Sequence, residues 1–136
     1  AAVDAATVRG VTPLHIAAQN GHMDLAEALL ARGAAVDAAT VRGVTPLHIA
    51  AQNGHKDLAE ALLARGAAVD AATDYGATPL FIAAQKGHKD LAEALLARGA
   101  AVDAATDRGI TPLFIAAEYG HRDLAKALLA RGAAVD

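Results

Sequence analysis

The sequence predicts an all-α solenoid of stacked helix-turn-helix units joined by β-hairpin-like fingers. Three observations lead there. The string Ala-Ala-Val-Asp recurs at residues 1, 34, 67, 100 and 133, which sets a period of 33 without insertion or deletion. Each period holds Thr-Pro ahead of one apolar run and Gly behind it, then a second apolar run that also ends at Gly. Neither run can bury an apolar face alone, so the units must stack to share a core.

Four units occupy residues 1–33, 34–66, 67–99 and 100–132 of one domain spanning 1–136, with 133–136 opening a fifth. The first two units differ only at Met23 against Lys56. In the first unit a helix is expected from Thr12 to Asn20. Thr is a good N-cap, Pro13 fits the first helical position, and Gly21 suits the left-handed residue past the end. Leu14, Ala17 and Ala18 fall at i, i+3 and i+4 and define its buried face. A second helix is expected from Met23 to Arg32, with Asp24 in the first turn, where the helix dipole favours an anion. Its predicted buried stripe is Leu25, Ala28 and Leu29. Arg32, Arg65, Arg98 and Arg131 are expected in the last turn of these second helices, where a cation contributes about 0.3 to 1 kcal/mol. Between the units, residues 34–45 lack helical periodicity and carry Arg42-Gly43 as a turn signal, so they read as an extended finger.

Composition narrows the function. The chain of 136 residues is 54% hydrophobic yet only 3% aromatic, because Ala dominates, and such a chain favours helices. Twelve basic and 15 acidic side chains give a net charge of -3 with no basic run, which speaks against nucleic acid as a partner. The absence of Cys removes disulfides, thiolate metal sites and a cysteine nucleophile. No apolar stretch approaches the roughly 18 residues of a membrane span, and no basic-then-apolar leader opens the sequence. A soluble, cytosol-compatible protein without a targeting signal is expected, its location otherwise open.

Candidate chemistry resolves into repeat structure. His22, His55, His88 and His121 recur at one offset after Gly and are expected to bond backbone groups of the neighbouring unit. His15 and His48 should tie a helix start to the finger, with Phe81 and Phe114 filling that space without a hydrogen bond. Consecutive His copies are a whole unit apart, so no metal site is expected. Asp70 with Asp74 could be imagined as an acid and base, but both read as solvated finger residues. No nucleophilic triad or phosphate-binding loop is present, so no enzyme activity and no cofactor are expected.

Gly10-Val11-Thr12-Pro13-Leu14-His15-Ile16-Ala17-Ala18, Gly21-His22, Leu29-Leu30 and Gly33-Ala34, with their equivalents in all four copies, match the ankyrin repeat in order and spacing. The chain resembles that family over its whole length. It departs where Thr7 stands for the usual Asp, Asp4 for Asn, Leu25-Ala26 for a β-branched pair, and Phe81 and Phe114 for the His of the Thr-Pro-Leu-His signature. The resemblance implies a non-enzymatic module that binds another protein through a concave face of fingers and first helices. The copies differ at the offsets of Val8, Arg9, Val11, His15, Gln19, Asn20, Met23 and Glu27. Five of these match positions varied in designed ankyrin repeat proteins, which the chain also resembles.

The expected binding residues are Val8, Arg9, Val11, Gln19 and Asn20 in the first unit and Val41, Arg42, Val44, Gln52 and Asn53 in the second. Asp74, Tyr75, Ala77, Gln85 and Lys86 follow in the third, then Asp107, Arg108, Ile110, Glu118 and Tyr119 in the fourth. Tyr75 and Tyr119 are the expected anchors, because an amphipathic ring buries much area while keeping a hydrogen bond. The second half is therefore expected to dominate. The competing reading is a structural scaffold without a target, self-associating end to end through Leu25 and Leu29 at one end and Leu124 and Leu128 at the other.

Overall fold

A computed structural model describes residues 2–135; Ala1 and Asp136, the outermost residues of the repeat frame, lie outside it. The described residues form eight helices and no strand: α1 (Pro13–Asn20), α2 (Met23–Ala31), α3 (Pro46–Asn53), α4 (Lys56–Ala64), α5 (Pro79–Lys86), α6 (Lys89–Ala97), α7 (Pro112–Glu118) and α8 (Arg122–Ala130). Within a unit the two helices pack against each other. Between units α1, α3, α5 and α7 stack in one row and α2, α4, α6 and α8 in a second. The molecule is the all-α solenoid that the period predicts.

Each helix begins and ends for local reasons. Thr12 is the N-cap of α1, its side chain accepting from the His15 amide, and Pro13 opens the helix behind it. Gly21 ends α1 in the left-handed region, at φ 69°. Arg32 and its equivalents, expected inside the last turn, stand instead at the C-cap position, one residue past the ends of the second helices at Ala31, Ala64, Ala97 and Ala130.

The first-row core is as expected, with Leu14, Ala17 and Ala18 at most 1% exposed. The second row needs a correction. In the interior units Leu58 and Leu62 are buried, but so are Ala59 and Leu63. An interior second-row helix is packed on two sides, and the terminal units show which residues serve each side. In the first unit, with no unit before it among the described residues, Leu25 is 48% exposed and Leu29 half-buried, while Ala26 and Leu30 are buried. In the fourth, Leu124 and Leu128 are buried and Leu129 is 45% exposed. Leu124 and Leu128 face the preceding unit and cannot form an end surface. The exposed apolar groups at that end include Leu129 and Phe114. Phe114 is 59% exposed, against 5% for Phe81, which has a following unit to cover it.

Hydrogen bonds between units hold the fingers in register. Each finger closes on itself, as where the Thr40 amide donates to the Val44 carbonyl at 3.0 Å. Adjacent fingers are then joined by one backbone bond: the Val41 amide to the Arg9 carbonyl at 2.9 Å, Asp74 to Arg42 at 2.8 Å, and Asp107 to Tyr75 at 3.0 Å. Gly43 permits this approach. Its φ is 79°, and a Cβ there would stand 3.2 Å from the Asp74 amide nitrogen. The carboxylates of Asp4, Asp37, Asp70 and Asp103 each accept from an amide of the next unit, Asp37 from Ala68 at 3.1 Å. Asp70 is therefore a clip between units and no partner for Asp74 in acid-base work.

Five of the six histidines bond as expected, whereas His22, with no unit before it among the described residues, makes no bond to a neighbouring unit there. His48 Nε2–H donates to the Ala77 carbonyl of the next finger at 2.9 Å, and its Nδ1 accepts from the Thr45 amide at 3.0 Å. His15 does the same with Val44 and Thr12. Both rings are 0% exposed. Burial pushes their pKa below the usual imidazole value, and the backbone bonds pull back only in part. His55, His88 and His121 reach backward instead, donating to the Gln19, Gln52 and Gln85 carbonyls at 3.2, 3.1 and 3.0 Å.

Candidate functional site

With buried histidines pinning fingers to first-row helices, the side chains on the finger tips and at the ends of those helices face solvent together. Val8 is 99% exposed and Val41 72%, an unfavourable placement for apolar groups that serve no contact. Arg9, Arg42, Gln19, Asn20, Gln52 and Asn53 are also exposed, and Val11 and Val44 are half-buried behind the tips.

Eight of these residues converge. A groove of about 550 Å³ is lined by Arg9, Val11, Gln19, Thr40, Val41, Arg42, Val44, Ile49, Gln52 and Asn53. It runs between the first two units and takes in eight of the ten residues expected there, leaving Val8 and Asn20 outside it. Thr40 and Ile49 belong to it although sequence reasoning missed them. The available signal was the place of Ile in the helix. Ile16 and Ile49 lie off the stripe of Leu14, Ala17 and Ala18, and an apolar side chain off the buried stripe needs another cover. Ile16 is 45% exposed.

The second half is arranged differently. Ile82 and Ile115, at the same offset, are buried, so the apolar floor is closed over there. Ala77 is 0% exposed, which removes its side chain from any contact surface, and its carbonyl accepts from His48. Gln85 and Ile110 are half-buried, while Asp74, Lys86, Asp107, Arg108 and Glu118 are exposed. Tyr75 and Tyr119 are half-exposed, at 52% and 56%. Tyr119 stacks on the His121 ring with centroids 6.3 Å apart. The two tyrosines are open to a partner, but the groove lies in the other half.

Charge follows the same division. Among the described residues the only charged side chains on the groove wall are Arg9 and Arg42, with no carboxylate beside them. Among the described residues the one ion pair, Lys56 with Glu60 at 3.7 Å, lies within α4, away from the fingers. In the third and fourth units Asp74 and Asp107 take the place of Val8 and Val41 at the tips. No group of three or more His, Asp or Glu among the described residues comes together as a metal site would require, and no helix is long and apolar enough to cross a membrane.

A family model for ankyrin repeats (3 copies) matches residues 1–73 and again residues 65–136. No curated protein matches the chain.

Proposed function

The chain belongs to the ankyrin repeat family, a non-enzymatic protein-interaction fold, and we propose that it binds another protein through the face formed by its fingers and first-row helices. The observation that carries this reading is the groove: exposed Val41, half-buried Val11 and Val44, and two arginines without ion partners among the described residues gathered on one wall. Apolar groups and Arg held open on a rigid frame are the composition of an interface centre. The near identity of the copies, with most differences at finger tips and first-helix ends, supports reading the chain as an engineered binder. The differing residues of the second half, Tyr75 and Tyr119 foremost, extend the face beyond the groove.

The test is capture with and without the face. The immobilised chain should retain a protein that a variant carrying Arg9→Ala, Arg42→Ala, Tyr75→Ala and Tyr119→Ala releases, with the interaction confirmed by isothermal titration. A captured protein that binds parent and variant equally would place the contact elsewhere.

One observation favours the second reading, a scaffold that associates with itself. Leu25 at one end and Phe114 and Leu129 at the other are exposed on faces that interior units cover. The two readings separate by partner: a scaffold finds only its own copies.

A further inference from the structure

The groove is doubled along the solenoid, and that spacing constrains what fits it. Arg9 and Arg42 are the same position in successive units, as are Val11 and Val44, and Gln19 and Gln52. Each finger has two legs, and the Val41 amide bonds the Arg9 carbonyl of the finger before it. One finger to the next is therefore two inter-strand spacings, roughly 9.5 Å at about 4.7 to 4.9 Å each. The stacked first-row helices give a similar figure, since packed helices lie about 8 to 10 Å apart.

A partner that addresses both arginines alike needs its own repeat of that length. A β-strand fails, because residues on one face recur at about 6.6 Å and 13 Å, with alternate side chains pointing away. A polyproline II helix has three residues per turn and rises about 3.1 Å per residue, so every third side chain returns to the same face after roughly 9.3 Å. Carboxylates at i and i+3 then meet Arg9 and Arg42, and a second face of the same helix, one residue over, lies against Val11, Val44 and Ile49. The wall carries two cations and no anion, so the repeated charge on the partner is negative.

We propose that the groove between the first two units takes an extended acidic segment of a partner protein in polyproline II conformation, with Asp or Glu at every third residue and an apolar residue beside each. The proposal rests on the protein-binding reading above and names the class of segment bound.

The probe is a fluorescein-labelled peptide of four Glu-Pro-Leu triplets, titrated by anisotropy against the whole chain up to millimolar concentration. Two controls share its composition or shape. One is the same residues reordered so that Glu recurs at every second position; the other has Lys in place of Glu. The triplet peptide should bind, weaken with added salt, and lose about tenfold, or about 1.4 kcal/mol, in Arg9→Gln/Arg42→Gln. Ile49→Ser should weaken it further, whereas Lys126→Ala, exposed on α8 away from the groove, should leave it unchanged. All the altered side chains are at least partly exposed, and thermal melts of the variants confirm that they fold. Absence of binding, equal binding of the reordered peptide, or indifference to the two arginines would overturn the proposal. The capture experiment reads the broader function separately: a protein released by the face variant, with no triplet peptide bound, sinks the acidic polyproline segment alone.

Discussion

Acidification should destabilise this protein through two buried histidines, and the upper bound of the effect follows from their geometry. In His48 the unprotonated Nδ1 accepts from the Thr45 amide at 3.0 Å while Nε2–H donates to Ala77. A proton on Nδ1 would set two donors against each other inside a fully buried site. His15 is built alike. Asp37 near His48 favours the charged form but does not outweigh burial, and both pKa values stay below the usual one. The unfolded chain therefore takes up protons that the folded chain refuses. Stability from these rings is complete above the unfolded value of about 6.5 and falls as pH drops through it toward the lower folded values. One unit below the unfolded value, a ring still neutral in the fold has lost about 1.4 kcal/mol, so the pair sets a ceiling of about 3 kcal/mol at pH 5.5. That range stays above ordinary carboxylate titration. Urea denaturation of the parent and of His15→Phe/His48→Phe, from pH 8 to pH 5.5, isolates the two rings from the four other histidines. Phe is the natural choice because Phe81 and Phe114 already hold this position. The parent should lose more stability than the variant across the range, at unchanged denaturant slope. Equal losses would refute the reasoning.

Other outcomes follow from the packing. Tyr75→Ala/Tyr119→Ala should cost on the order of 2 kcal/mol or more in affinity for a captured target and leave stability nearly unchanged, since both rings are half-exposed; unaltered affinity removes them as anchors. Gly43→Ala should destabilise more than Gly109→Ala in thermal melts. Both have φ 79°, but only at Gly43 does a Cβ meet the next finger, so equal costs would mean that close approach contributes nothing. The 136-residue chain by itself should associate end to end near millimolar concentration. Phe114→Glu/Leu129→Lys should return it to monomer in light scattering, whereas Leu124 and Leu128 variants act on folding instead.

What could be read from the sequence was what is decided locally. Thr12, Pro13 and Gly21 set the ends of α1 through caps and a left-handed residue within the same ten positions, and Leu14, Ala17 and Ala18 follow helical spacing. The second-row stripe was read only in part, because Leu58 and Ala59 face different neighbours and the choice exists only once units are stacked. The Asp clips span 31 positions and leave no local trace. For the site, variation among the copies was a useful but imperfect guide. It led to Arg9, Val11, Arg42 and Val44, which line the groove, yet it included Ala77, where a small side chain varies inside the packing. It passed over Ile49, which does not vary at all. Difference between copies marks tolerance to change, and a buried position with a neighbour of adjustable size can be as tolerant as a surface one.

The most direct measurement is amide hydrogen-deuterium exchange of the chain with and without a captured partner. Binding through the proposed face should slow exchange in the finger tips around Val8–Gly10 and Val41–Gly43 and at the ends of α1 and α3, leaving α4 and α6 unchanged. Protection confined to the second-row helices, around Lys56, Lys89 and Arg122, with free fingers, would contradict the account.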